Sequence, residues 1–360
     1  VRRTALITAS LIFSLAGLGC KGRASQPEAQ PTPAQPKPAD DRTGPPDRAN
    51  DEAPKPALVA VSEPGAGFAD RLDRAAYEAD LTFIASARLP GSAHWQAVQD
   101  RCVAAFEQAG FDVTRSTAEG AGISIIGRKS GRDPKLPSIV AGAHYDHIEA
   151  CAGADDNASG TAAVLQLARV LGPEDWDRTL IVACWDEEES GLHGSRHWVD
   201  QAVGQGQSIG LYLNFDAIAY ADDAPNSQTL PPGVDIVFAK QLAEFKAQQY
   251  RANFIAVLAD SGAQQASRYY QAHAARLELP AALIEIPSAM KNDALLADLR
   301  RSDHASFWKH DIPAVFLSDT ANFRTDTYHC EVRPDTVDTL DIDFAVKVTR
   351  AAIGTLAEML

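Results

Sequence analysis

Thr179-Leu180-Ile181-Val182-Ala183-Cys184-Trp185 is a nearly unbroken apolar run, and Asp186-Glu187-Glu188-Glu189-Ser190-Gly191-Leu192-His193-Gly194-Ser195 follows it directly. Side chains of a strand alternate between faces, so a run that is apolar at successive positions fits a strand covered on both faces. Four acidic residues then place negative charge at the strand end, the edge where α/β sheets bind ligands. Adjacent carboxylates in a cleft repel one another unless a cation joins them. Taken alone, the stretch could equally be a solvated acidic loop.

On either side, strand and helix patterns alternate. Residues 111–113, 123–126, 138–143, 211–215, 281–286 and 314–317 read as strands. Residues 70–87, 94–108 and 160–171 read as amphipathic helices, the first with Leu72, Ala75, Ala76, Ala79 and Phe83 on one face. Gly110 stops the second helix, and Arg88-Leu89-Pro90-Gly91-Ser92 reads as a turn. Alternating elements with mostly apolar strands predict an α/β fold, a three-layer helix–sheet–helix sandwich around a mixed, mostly parallel sheet. Between Asp223 and Met290 little is legible beyond helices and one strand.

The chain has 360 residues, 45% hydrophobic and 22% charged, enough for one large domain with a sizeable core. A net charge of -15 and the lack of a Lys/Arg block exclude a general nucleic-acid surface. No Gly-x-Gly-x-x-Gly or Gly-Lys-Ser/Thr loop follows a strand, which argues against dinucleotide or nucleotide binding. The cysteines Cys20, Cys102, Cys151, Cys184 and Cys330 include no Cys-x-x-Cys pair. Cys102 and Cys184 are expected as inert core residues.

Residues 1–20 read as a secretory signal: Arg2 and Arg3, then an apolar run over 6–18 that is short for a membrane span. It ends in Leu15-Ala16-Gly17-Leu18-Gly19-Cys20, similar to a bacterial lipobox with Gly17 in place of the usual Leu. Cys20 is therefore the expected lipidation site. Residues 21–67, poor in large apolar side chains, are expected to be a disordered tether, and 68–360 one folded domain. The expected location is the periplasmic or extracellular side of a bacterial membrane.

Five separated places hold candidate ligands: His144-Tyr145-Asp146 after the strand over 138–143, Asp155-Asp156-Asn157 before a helix, Glu188-Glu189, Asp216 after a short strand, and Tyr328-His329. All are carboxylate or imidazole donors of the kind zinc accepts. Asp146, two residues from His144 in extended chain, can steady it from behind.

The segments AGAHYDH, GADDNASG, DEEESGLHGS, LNFDAI, RSDHASFW and TYHCEVRPDT, in that order, resemble the di-zinc exopeptidases of the bacterial leucyl aminopeptidase, glutamate carboxypeptidase and transferrin-receptor group (clan MH zinc peptidases). The resemblance implies two Zn²⁺ bridged by Asp156. His144 and Asp216 would complete one site and Glu189 and His329 the other, with Glu188 as general base. Tyr328 would donate to the oxyanion. It also implies a cis peptide between Asp156 and Asn157. Asp156, Glu189 and Asp216 would offset three of the four metal charges, leaving roughly +1 to polarise water and a carbonyl.

Asp303 and His304 are expected to support the site without binding metal, and His147, His193 and His197 to be surface or packing residues. Cys151 and Cys330 flank two of the ligand loops, so a disulfide between them is a further expectation. Peptides are the expected substrates, with aminopeptidase action the leading reading. A carboxypeptidase or dipeptidase would need a cation such as Arg301 or Arg324 for the substrate carboxylate. A glutaminyl-cyclase-like acyltransferase with a single zinc is a third reading. A metal-free receptor-like module is disfavoured, because no ligand position is missing.

Overall fold

The computed structural model describes residues 58–360 apart from 149–150 and 231–238. The expected signal and lipidation cysteine, and the tether up to residue 57, lie outside the described residues. Strands β1 (Asp112–Thr117), β2 (Ile123–Lys129), β3 (Ser138–His144), β4 (Leu180–Trp185), β5 (Ile209–Phe215), β6 (Ile255–Asp260), β7 (Ala281–Ile286) and β8 (Ala314–Ser318) form one sheet, ordered β1-β2-β4-β3-β5-β8-β6-β7. The central four, β4, β3, β5 and β8, are parallel; β2 and β6 join them antiparallel. The sheet is therefore mixed, as expected.

The strand alternation divides the core into two. Ile139, Ala141, Leu180, Val182, Leu211 and Leu213 face one apolar layer, while Val140, Ile181, Ala183, Trp185 and Tyr212 face another. The first layer is closed by α2 (Arg74–Ile84), α3 (Ala93–Gln108), α4 (Gly160–Leu171), α7 (Gln264–Arg276) and α9 (Ile342–Met359). The second is closed by α5 (His193–Gly204) and α8 (His304–Trp308), which bring Val199, Phe307 and Trp308 onto it. Phe307 stacks on Tyr212 with ring centroids 3.8 Å apart. A small separate cluster forms where α6 (Ala239–Ala247) sets Phe245 against Phe254 and Ala256. Central strands buried on both faces account for the apolar run that announces β4.

The structure corrects three expectations. The helix expected over 70–87 is α2, shorter at both ends: the Asp73 carboxylate caps the N–H groups of Ala75 and Ala76 and sets its start, and residue 70 ends a separate helix, α1 (Glu63–Asp70). Order also begins before residue 68. Ser62 caps α1, and its own N–H donates to Glu358 of α9 at 2.8 Å, so the tether expectation for 63–67 gives way to a docked helix. Finally, Cys102 and Cys184 are not separate core thiols. α3 and β4 share the first core layer, which brings the two cysteines together as a disulfide with Cα atoms 6.7 Å apart.

β6 has no distinct signature in the sequence. Its Ile-Ala-Val-Leu-Ala run is short and apolar, a pattern shared by buried helix and buried strand. No helix among the described residues is long and apolar enough to cross a membrane.

Candidate metal centre

From β3 the chain passes to β4 on one side and then to β5 on the other, so the strand order reverses at β3. That reversal opens a crevice at the carboxyl ends of the parallel strands. His144 is the last residue of β3 and pairs in register with Trp185 of β4, so the acidic run after β4 starts beside it. Asp216 follows the last residue of β5, and its N–H donates to Leu317 of β8. The turn Ala154–Ser159, leading into α4, and the short turn Tyr328–Cys330 converge on the same edge.

At the centre is Asp156. Its Oδ1 lies 3.3 Å from His144 Nε2, and its Oδ2 lies 3.3 Å from His329 Nε2. Asp216 Oδ1 is 3.6 Å from the same His144 nitrogen, and Glu189 Oε2 is 3.3 Å from the same His329 nitrogen. The structure thus brings the five expected ligand residues into two clusters joined by one carboxylate. Neither Nε2 atom makes a hydrogen bond among the described residues, although each is buried and aimed between two carboxylates. Buried polar atoms are rarely left so. Two imidazoles and three carboxylates around two focal points form a donor set that suits zinc. The residues fit the expected metals.

Several groups behind the cluster hold it in shape. The Asp146 carboxylate accepts from the N–H groups of Glu188 (3.2 Å) and Glu189 (3.1 Å), and its Oδ1 lies 3.4 Å from His144 Nδ1. Asp335 accepts from the N–H groups of Asp155 (2.9 Å) and Asp156 (3.1 Å). The peptide between Asp156 and Asn157 is cis, and Asn157 ties the turn to β5 through its 2.9 Å bond to the Phe215 carbonyl. Fully buried Arg88 donates to the carbonyls of Tyr145, Ala152 and Gly153, joining the end of β3 to the loop before Asp156. Burial lowers its pKa to about 10, which leaves it a cation beneath a cluster of anions. Cys151 and Cys330 pair as a disulfide between two of the ligand loops.

His147 is buried, the packing alternative of the two expected, and its Nδ1 lies 3.0 Å from Glu189 Oε1. Sequence reasoning misses Asp335 and Arg88 as site-building residues. Asp335 lies inside the TYHCEVRPDT segment, a signal that could have marked it; nothing local marks Arg88. Asp303 and His304 are both buried; His304 bonds the Leu299 carbonyl at 2.8 Å and stacks on Phe316. His193 and His197 are half-buried on α5. Arg324 is buried and bonded to Gln228 and the carbonyls of Tyr220 and Phe254, so it is not free to meet a substrate.

Charge follows the geometry. Burial pushes the Glu188 carboxyl well above its ordinary range; His144 opposes this, while Asp216 and Asp303 add to it. A Glu188 oxygen lies within 4.8 Å of ligand atoms of both His144 and Asp216. Burial opposes protonation of His329, but Asp156 and Glu189 outweigh it and hold its pKa at about 10. Burial likewise disfavours the Asp156 anion, yet His144 and His329 keep its pKa well below the usual value. Protein groups alone therefore draw positive charge strongly into this cluster.

Beside the centre an apolar cavity opens between Asp216 and Tyr328, walled by Phe254, Leu258, Ile284 and Phe316. Tyr328 stacks on His329, centroids 3.8 Å apart.

Comparison with known proteins agrees with this architecture. The chain is 29% identical over 235 residues to the uncharacterized protein YfbL of Escherichia coli K12, 61% of this chain and 66% of that one. It is 44% identical over 78 residues to aminopeptidase YwaD of Bacillus subtilis, 21% of this chain and 17% of that one. The matches thus span just under two thirds of the first relative and a small part of the second. The LapA aminopeptidase structure from Legionella pneumophila superposes with a TM-score of 0.63 at 18% identity, over 85% of this chain and 77% of that one, a likeness of fold. The family model described as peptidase family M28 matches residues 124–356, from β2 almost to the end of α9 and across every cluster residue, and the chain belongs to that family.

Proposed function

We propose that this chain is an exported di-zinc exopeptidase that removes amino-terminal residues from peptides. The observation that carries the reading is the Asp156 carboxylate, one oxygen toward His144 and the other toward His329, each imidazole lacking a hydrogen bond at that nitrogen. His144, Asp156 and Asp216 would hold one zinc; Asp156, Glu189 and His329 would hold the other. When bound, the two ions supply Lewis-acid charge that polarises a carbonyl and acidifies water.

Glu188 takes the proton from the attacking water and returns it to the leaving amine. Burial and the neighbouring carboxylates raise its affinity for a proton above that of a free glutamate, which favours taking one from water. Asp146 aims the work by fixing the backbone of Glu188 and Glu189, so that one neighbour binds while the other moves protons. Tyr328 donates to the carbonyl oxygen as charge develops there. The Asp216 carboxylate, which lines the cavity beside the centre, receives the substrate's ammonium group.

Aminopeptidase action is favoured by YwaD's name, by the Asp216 carboxylate lining the cavity and by the engagement of Arg324 within the protein. Export, with lipid attachment at Cys20, is favoured by the N-terminal sequence and by two disulfides, which persist in oxidising compartments. The test is hydrolysis of matched dipeptides, N-acetylated or C-amidated, with metal content measured on the same sample. Acetylation should abolish cleavage and amidation should not, with about two zinc per chain. The reverse pattern would move the assignment to a carboxypeptidase. Full metal without peptide cleavage, but with cyclisation of glutaminyl peptides, would move it to an acyltransferase.

A further inference from the structure

Arg301 stands exposed on the rim of the cavity beside the metal centre, and its guanidinium spans two partners. Nη1 donates to Asn322 Oδ1 at 3.0 Å, and Nη2 donates to the Tyr328 hydroxyl at 3.1 Å. The guanidinium carbon also lies 5.7 Å from the centroid of the Tyr328 ring. Arg301, Asn322, Tyr328 and Asp216 line the same cavity.

A phenol has one proton to donate and accepts through its oxygen, whereas a guanidinium can only donate. With Arg301 donating into its oxygen, the Tyr328 hydroxyl cannot spend its proton on that partner. No other residue among those described accepts that proton. The ring is held from behind by stacking on His329, so the hydroxyl's position is fixed at one end by the ring and at the other by the guanidinium. Asn322 accepts from the other arm of the planar guanidinium, so both ends of the fork are bonded.

We propose that Arg301 is a positioning residue: held by Asn322, it orients the Tyr328 hydroxyl as a proton donor toward the substrate's carbonyl oxygen as that oxygen gains charge. The guanidinium does not touch the reacting atoms; it acts through the phenol. Its charge also makes the phenol a stronger donor, as a cation on the acceptor side of a hydroxyl polarises the O–H bond. The inference rests on the peptidase reading above and gives Arg301 a role distinct from binding a substrate carboxylate.

The experiment is a double-mutant cycle with Arg301→Met, Tyr328→Phe and the pair, measuring kcat and KM on N-terminally free, C-amidated dipeptides. Arg301→Lys serves as the conservative variant, and metal content and circular dichroism are checked for each. Tyr328→Phe should lower kcat by about 10²-fold, the scale of one lost oxyanion donor. Arg301→Met should lower kcat by roughly 10-fold with KM little changed, and should cost nothing further in the Tyr328→Phe background. Arg301→Lys should restore part of the loss, since an ammonium can donate to the phenol but cannot also hold Asn322 in a fork. Calorimetric affinity for an aminoalkyl boronic acid, a tetrahedral mimic, should fall in the same pattern.

Additive losses in the double variant would overturn the inference. So would an effect of Arg301→Met confined to KM and present only for peptides with a free carboxylate, the signature of a carboxylate-binding arginine. An active enzyme indifferent to Tyr328→Phe would overturn it at the phenol. A metal-loaded wild type that cleaves no peptide would instead remove the peptidase reading, and the inference with it.

Discussion

Asp146 offers the sharpest test of how the centre is held. One carboxylate there serves three groups: it accepts the N–H of Glu188 at 3.2 Å and of Glu189 at 3.1 Å, and lies 3.4 Å from His144 Nδ1. Asp146→Asn keeps one acceptor oxygen but loses the charge and one N–H bond. Outer carboxylates of this kind typically change metal affinity by about 10–100-fold, or about 1.4–2.7 kcal/mol. Asp146→Ala removes every acceptor and leaves two backbone donors orphaned in a buried place, each costing about 1–3 kcal/mol. Its expected loss is therefore larger, divided between zinc affinity and stability. Zinc affinity would be read by competition with a chromophoric chelator, and stability of the same metal-free samples by thermal unfolding. Should folded Asp146→Ala bind zinc within about two-fold of wild type, the argument that this carboxylate orients the centre is wrong.

Three further outcomes follow from the same geometry. Glu188→Gln should retain zinc while losing about 10²–10⁴ in kcat, whereas Asp156→Asn should lose metal as well; near-normal turnover in a metal-loaded Glu188→Gln preparation would remove Glu188 as the base. Alkylation in denaturant without reductant, read by peptide mass spectrometry, should leave Cys102, Cys151, Cys184 and Cys330 unlabelled, and labelling of any one would contradict its pairing. Metal-free protein should lose stability as pH rises. His329 has a folded pKa of about 10, above its ordinary 6.5, so its contribution is complete below 6.5 and gone once pH passes about 10. Melting temperatures that rise across that window in chelator would refute this, and saturating zinc should flatten the fall, since metal takes the place of the proton.

Much was legible because it was local. An apolar run ending in carboxylates needs only its own side chains to declare a doubly covered strand with a charged end, and β4 is such a strand. His144, Asp156, Glu189, Asp216 and His329 each sit in a short segment whose neighbours identify it. The helix expected over 70–87 starts later for an equally local reason: periodicity continues through Asp73, but its carboxylate caps the N–H groups of Ala75 and Ala76 and sets the start at Arg74.

What the tertiary structure alone decided are the pairings between segments far apart in the chain. Asp335 receives the N–H groups of Asp155 and Asp156 from 180 and 179 residues away. Cys102 meets Cys184, His147 folds back onto Glu189, and Arg301 reaches Tyr328. No pattern in any one segment encodes such a meeting. The sheet order creates it, by reversing at β3 and bringing the carboxyl ends of β3, β4, β5 and β8 to one edge. Residue types and their spacing, which the sequence carries by itself, determine which groups can bind a cation or move a proton. Which groups orient them depends on distances set by packing across the whole domain, because hydrogen bonds and charges act over a few ångströms of space whatever the separation along the chain.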